Sequence, residues 1–311
     1  MSQSFLSRLP LSRYEIDRDH LGREREDLWD ALWADPETRV LPVFQGSGLL
    51  AEPNRLALLP VDALPPFDTR VYLGSSVSTT SREPVGTPLV AVELDDARHL
   101  AEAEWSNLRQ GGHLLSDRDA GLLTEALGIL HWHDSHRFSP RTGEPTVAEK
   151  GGWVRRDPVS GLEIFPRTDP AVIVGVTDGG DRLLLGSNAL WESNRYSLLA
   201  GFVEPGESLE SAVVREVHEE SGLVVADPVY LGSQPWPFPA SLMLGFTARL
   251  ASGSAEAATP DGTAILSLRW FERAQLQESA ASGEVRLPGP TSIARAIIEE
   301  WFGGPIDDEQ R

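Results

Sequence analysis

Cysteine is missing from all 311 residues. Its absence excludes disulfides, thiolate catalysis and every cysteine-based zinc site. Positive charge is scarce, with 27 Lys and Arg against 47 Asp and Glu and a formal net charge of −20. Such a surface repels phosphate backbones and argues against tight non-specific nucleic-acid binding. A small anion can still bind once a metal ion neutralises the charge locally. No apolar run is long enough to span a bilayer. The opening stretch MSQSFLSRLPLSRYEIDRDH lacks the continuous apolar core of a secretory signal, so a cytoplasmic location and no membrane partner are expected.

Hydrophobic residues at 41% and charged residues at 24% describe an ordinary globular protein, and the length fits more than one domain. In the first third, Arg39–Phe44, Leu56–Leu59, Arg70–Gly74 and Pro88–Leu94 read as strands between Pro/Gly/Ser-rich turns. Arg23–Trp33 and Asp117–His131 read as helices, the second with Ser116 as N-cap and Ala120, Leu123, Leu127 and Leu130 at helical spacing. Residues 131–169 turn to Arg, Pro, Gly, Ser and Asp, the composition of a connector. Beyond it, Ala171–Val176 and Arg182–Gly186 read as a β-hairpin. A strand-loop-helix unit follows at Ser197–Gly222, then strands at Val229–Gly232, Ser241–Leu250 and Ile265–Phe271. The amphipathic helix Ser292–Trp301 closes the pattern. The expected division is an N-terminal α+β domain at 1–130, the connector at 131–169 and an α/β domain at 170–305.

Glu216, Glu219 and Glu220 stand at i, i+3 and i+4 in a stretch with no Gly or Pro from Ser208 to Gly222, so a helix projects all three from one face. Leu209, Ala212 and Val213 lead into them on that face. Three anions this close repel one another unless a cation lies among them, and oxygen donors at this density suit Mg²⁺ or Mn²⁺. Clustered glutamates ordinarily mean a solvated face. The wider pattern decides otherwise: Gly201, five residues, Glu207, seven residues, then Arg215-Glu216-Val217-x-Glu219-Glu220-x-Gly222-Leu223. Seven specified residues at usages of about one in fifteen coincide by chance roughly once in 10⁸ starting points.

This is the box of the Nudix hydrolases. Downstream, Ser233-Gln234-Pro235-Trp236-Pro237-Phe238-Pro239-Ala240-Ser241 carries three alternating prolines that stiffen the backbone and aim two aromatic rings beside polar groups, an arrangement suited to a nucleobase or nicotinamide. The segment resembles the signature of the NADH pyrophosphatase family within that superfamily. The resemblance implies an α/β/α Nudix sandwich with a mixed sheet, preceded by a smaller α+β domain and a degenerate zinc-ribbon-like connector. It implies metal-dependent cleavage of NADH, also NAD⁺ and NAD-capped RNA 5′ ends, to AMP and nicotinamide mononucleotide, by a homodimer. By residue, it implies that Glu216, Glu219, Glu220 and the Ala200 carbonyl bind metal, with Glu219 or Glu220 as base. It makes Glu207 and Arg215 a brace, and Arg109, Phe165, Phe202, Gln234 through Ser241 and Ala294 substrate contacts.

The chain departs from the family in two places. Many relatives carry a four-cysteine zinc ribbon; here Ser139, Thr142, Asp157 and Ser160 take those positions. Hydroxyls are poor zinc ligands, so no zinc is expected. His131, His133 and His136 are expected to cap and pack the helix end. Ala264 stands where the family has a metal-binding glutamate, with Asp261 three residues away. The alternatives are a nucleotide-binding regulator with little turnover, and a hydrolase of ADP-ribose.

Overall fold

The computed structural model describes residues 5–308 except 101 and 254. The chain divides into two compact units, one of Pro10–Thr168 with Pro235–Ala240, the other of Met1–Leu9, Asp169–Gln234 and Ser241–Arg311. Among the described residues no helix is long and apolar enough to cross a membrane.

The unit containing Pro10–Thr168 is built on an eight-stranded sheet: β1 (Ile16–Asp17), β2 (Arg39–Phe44), β3 (Ser47–Glu52), β4 (Arg55–Leu56), β5 (Leu59–Pro60), β6 (Phe67–Ser76), β7 (Pro88–Leu94) and β8 (Trp105–Asn107). The order is β1-β6-β7-β2-β3-β4, with β5 on β2 and β8 on β3. Helices α1 (Leu28–Ala34), α2 (Leu108–Gly111) and α3 (Asp117–Ser135) complete it. Strand alternation sends Leu41, Val43, Leu89 and Ala91 to one face, where they pack with Leu122, Leu123, Leu127 and Leu130 of α3. Val40, Val90 and Val92 face the other way, onto Leu28 and Leu32 of α1. A separate three-stranded sheet follows in the order β11-β10-β9, from β9 (Val147–Glu149), β10 (Val154–Arg156) and β11 (Glu163–Ile164).

Two expectations in this unit change. The helix expected from Arg23 starts at Leu28, because Asp19 accepts from Gly22 N at 3.0 Å and Arg25 pairs with Asp27 at 2.9 Å, local bonds that compete with helical ones. Leu56–Leu59 is two strands, Leu56 paired with Leu50 and Leu59 with Val40.

The other unit is an α/β/α sandwich with a mixed sheet. Its strands are β12 (Asp169–Thr177), β13 (Leu183–Asn188), β14 (Leu199–Phe202), β15 (Val224–Trp236), β16 (Ser241–Ser252) and β17 (Ile265–Phe271), ordered β15-β16-β12-β13-β17 with β14 on β12. Its helices are α4 (Leu209–Ser221), α5 (Arg273–Ala281) and α6 (Ile293–Phe302). Alternating residues divide the core. Val172, Val174, Val176 and Leu184 pack with Ala212, Val213 and Val217 of α4. Ile173, Leu183 and Leu185 pack with Leu276 of α5 and Ile293 and Ile297 of α6. Gly245 lets α6 close in, since a Cβ there would lie 3.1 Å from both Ile293 Cδ1 and Ile297 Cδ1.

The expected hairpin is only one rung, Thr177 opposite Leu183. Ala171–Val174 of β12 pair with β14 on one edge and the whole strand runs parallel to β16 on the other, while β13 turns to β17. Helix α5 was not anticipated: Leu276 is its one large apolar side chain, too few for a periodic signal.

Candidate active site

The carboxylates are placed by a strand, a loop and a helix. Strand β14 pairs with β12 through Ala171–Phe202 and Ile173–Ala200, which fixes Gly201 on the sheet. The loop bonds to itself, Glu204 N donating to Glu207 Oε1 at 2.7 Å. Helix α4 starts where Ser208 Oγ accepts from Ser211 N at 3.1 Å and stops at Gly222, whose φ of 69° suits a left-handed cap.

Arg215 is the hub. Its guanidinium donates through Nε and Nη2 to the two oxygens of Glu207, and through Nη2 to the Phe202 carbonyl at 2.9 Å. From the same side chain, Nη1 reaches Glu216 Oε1 at 2.8 Å and Glu219 Oε2 at 2.9 Å. A planar fork can bind loop, strand and helix together in this way, whereas a lysine ammonium cannot.

The three glutamates fan out. At about 100° per residue, Glu216 lies between Glu219 on one side and Glu220 on the other, a spread of roughly 100°. Glu219 is the outer one, its side chain 57% exposed. Glu220 is the inner one at 9% exposure, and its Oε2 accepts from Ala200 N at 3.2 Å. Glu216 rests against Gly201 so closely that a Cβ there would lie 2.0 Å from its Cδ and 2.1 Å from each oxygen. Burial is the main cause raising the Glu216 and Glu220 pKa values, Glu220 to about 8, with the charge of Glu216 next for Glu220. Among the described residues, no three acidic or imidazole side chains already stand as a metal-ligating group. Arg215 instead holds Glu216 and Glu219. Glu216 faces Arg215 on one side and buried Glu220 feels the Glu216 charge on the other, and two such hard oxygen donors fit a divalent cation.

Gly201 and Asp261 are the contributors that sequence reasoning left without a role. The Asp261 charge is a further cause of the Glu220 shift. Its Oδ1 accepts from Thr263, Ala264 and Ile265 N at 2.8, 3.0 and 2.9 Å, and the neighbouring Thr259 N donates to Ser221 O at 2.9 Å, tying this loop to the end of α4. Spacing marks Gly201 as the head of the box without showing that Glu216 presses against it, and the loop closure has no signature in spacing.

The proline-rich segment begins in β15, an edge strand, where the missing N–H of Pro235 is tolerated. Gln234 is buried, with Nε2 donating to Thr291 O at 3.0 Å, and Ser241 opens β16 opposite Asp169. Trp236 and Phe238 belong to the unit of Pro10–Thr168 and pack against its core, their rings edge-to-face at 5.0 Å. The Arg109 guanidinium lies 4.4 Å from the Phe238 ring and 5.5 Å from that of Trp236. His131 Nδ1 contacts the Pro237 carbonyl at 2.9 Å. Phe165 and Phe202 are exposed, in different units, whereas Ala294 is buried with its N–H bonded to Ser292 Oγ at 3.2 Å.

The three histidines lock the end of α3. His133 is buried between the Gly152 carbonyl, 2.8 Å from Nε2, and Arg155, 2.7 Å from Nδ1, and burial pushes its pKa down to about 4. His136 Nδ1 meets Ser135 Oγ at 2.9 Å.

Residues 166–287 match the family described as NUDIX domain, and residues 37–132 the family described as NADH pyrophosphatase-like rudimentary NUDIX domain. The chain is 39% identical over 303 residues to the NAD-capped RNA hydrolase NudC of Mycobacterium bovis (strain BCG / Pasteur 1173P2), covering 90% of this chain and 94% of that protein. It is 40% identical over 217 residues to the NAD-capped RNA hydrolase NudC of Stutzerimonas stutzeri (strain A1501), covering 70% and 74%. A crystal structure of a NUDIX hydrolase from Nitrosomonas europaea is similar at a TM-score of 0.39 and 19% identity, over 45% of this chain and 79% of that one. With a Nudix box folded on β14 and α4, a rudimentary Nudix unit before it and full-length relatives at this identity, the chain belongs to the NADH pyrophosphatase family of Nudix hydrolases.

Proposed function

We propose that the enzyme hydrolyses the pyrophosphate bond of NADH, and of NAD⁺, to AMP and nicotinamide mononucleotide. The observation that carries this reading is Glu216 seated against Gly201 beside buried Glu220, with Arg215 tying both loop and helix to that spot. A divalent ion bound there, Mg²⁺ or Mn²⁺, would polarise a phosphoryl oxygen and offset the charge of the diphosphate. Glu216 and Glu220, with Glu219 at the outer edge, are the residues that would hold it, and the Ala200 backbone lies against Glu220. The oxygen of water bonds to one phosphorus, the bridging P–O bond breaks, and the bridging oxygen leaves on the other phosphate. Glu219 or Glu220 accepts the water's proton. Phe202, exposed beside Gly201, offers a ring for stacking on a planar base, and the half-buried Trp236–Phe238–Arg109 cluster of the other unit supplies further aromatic contact.

The same reading adds NAD-capped RNA 5′ ends as substrates, with recognition confined to the cap because the protein's net charge of −20 repels the following phosphates. It also holds the enzyme to be a cytoplasmic homodimer with domains at 1–130, 131–169 and 170–305. The test is incubation with NADH, NAD⁺ and ADP-ribose, each with Mg²⁺ or Mn²⁺, following AMP by chromatography. Higher kcat/KM for NADH than for ADP-ribose is expected. Strict preference for ADP-ribose, or tight binding without turnover under either ion, overturns the reading.

A further inference from the structure

Two turns in the connector share one design. In Ser139-Pro140-Arg141-Thr142-Gly143, Ser139 Oγ accepts from Arg141 N at 3.2 Å and Thr142 N at 3.3 Å, and Ser139 O accepts from Gly143 N at 2.9 Å. In Asp157-Pro158-Val159-Ser160-Gly161, Asp157 Oδ1 accepts from Val159 N at 2.8 Å and Ser160 N at 3.2 Å, and Asp157 O accepts from Gly161 N at 2.8 Å. Both closing glycines are left-handed, with φ of 76° and 71°. Each turn is therefore a polar side chain capping the amides two and three residues on, with a glycine to close it.

The turns meet at one atom. Asp157 Oδ2 accepts from Ser139 Oγ at 2.8 Å, Thr142 Oγ1 at 2.8 Å and Ser160 Oγ at 2.6 Å. Asp157 is fully buried and Ser139 nearly so, at 0% and 3% exposure. The three hydroxyls hold the Asp157 carboxyl well below the usual carboxylate range. These four residues are the ones that stand at the cysteine positions of a zinc ribbon. A tetrahedral zinc centre needs four donors offering lone pairs, mostly thiolate or imidazole. Here three of the four are neutral hydroxyls whose protons point at the fourth, so the donor set does not fit zinc.

We propose that this centre is a metal-free clasp in which the Asp157 carboxylate takes the middle and Ser139, Thr142 and Ser160 surround it as donors. The polarity of a zinc ribbon is inverted: an anion ringed by hydroxyl protons replaces a cation ringed by thiolates. The clasp joins the loop before β9 to the turn after β10, and it makes the connector's integrity independent of metal supply. Chelation of the full-length protein then acts at the active site and leaves the connector intact.

The experiment uses the full chain. Elemental analysis of the purified protein is expected to find far less than one zinc per chain, and EDTA is expected to stop hydrolysis while moving Tm no further than withholding Mg²⁺ and Mn²⁺ does. Stoichiometric zinc, or a fall in Tm on chelation larger than withholding Mg²⁺ and Mn²⁺ produces, overturns the clasp. Asp157→Asn keeps the shape but turns an acceptor into a competing donor. A Tm lower by about 3 °C or more, or no recoverable folded protein, is expected, and an unchanged Tm overturns it. The quadruple variant Ser139→Cys, Thr142→Cys, Asp157→Cys, Ser160→Cys is expected to take up one zinc per chain and, with Co²⁺, to show the visible absorption of tetrahedral thiolate coordination. A variant that binds neither ion overturns the reading of these positions as one centre.

Discussion

Gly201→Ala separates the site from the fold. The added methyl would stand 2.0 Å from Glu216 Cδ and 2.1 Å from both carboxylate oxygens. Carbon contacts settle at about 3.5 Å, so the carboxylate must retreat by roughly 1.5 Å. Only the end of a flexible side chain has to move, and the position carries no positive φ that would strain an alanine. Stability is therefore expected to stay within about 1 kcal/mol of the parent. Function has no such freedom. Displacing a ligand's supporting geometry weakens metal binding by about 10- to 100-fold, and a misplacement of about 1 Å at the reacting centre lowers kcat/KM by about 100-fold. Mn²⁺ affinity is read from the free-ion electron paramagnetic resonance signal, kcat/KM from AMP release, and folding from thermal melts. Gly179→Ala, whose new methyl meets nothing within 4 Å, is the control. A Gly201→Ala protein that binds Mn²⁺ and turns over like the parent refutes the reasoning, and so does one that unfolds.

Glu219→Gln and Glu220→Gln should each lower kcat by about 100-fold or more with folding intact, measured by AMP release and circular dichroism; unchanged rates in both discredit their roles. Asp261→Asn removes a charge that reaches Glu220 and should weaken Mn²⁺ binding several-fold by the same resonance assay, with an unchanged affinity counting against its involvement. In the other unit, burial raises Glu125 from 4.5 to about 7, against the pull of Arg18 and Arg23. The fold prefers the neutral carboxyl, so stability from this group is complete below pH 4.5 and lost as pH rises to 7. The loss is about 1.4 kcal/mol per pH unit, up to about 3 kcal/mol. Glu125→Gln should match the parent by urea denaturation at pH 4 and exceed it at pH 8; equal stability at pH 8 contradicts the assignment.

Much of the site was legible because its spacing is local. Ser208 and Gly222 mark the ends of α4 through capping rules that depend on a few neighbouring residues, and Arg215 reaches Glu207, Glu216 and Glu219 within one loop and one turn of helix. The reading weakened wherever a partner lay far along the chain. Gln234 looked available for a ligand, yet Thr291 takes its Nε2. Trp236 and Phe238 read as rings aimed at a planar ligand, and they also lean on a hydrophobic core and on Arg109.

From the amino-acid order alone came the chemistry of the carboxylate helix, the α/β character of the C-terminal half and the loss of thiolate ligands, because each follows from periodicity or from composition. Tertiary structure alone decided that β12 lies between β14 and β16, that Gly201 leaves room for Glu216, and that four residues from two turns converge on Asp157 Oδ2. A helix sets the spacing of its side chains by itself. The strand, turn or backbone that a residue meets across a gap is chosen by the packing of the whole unit.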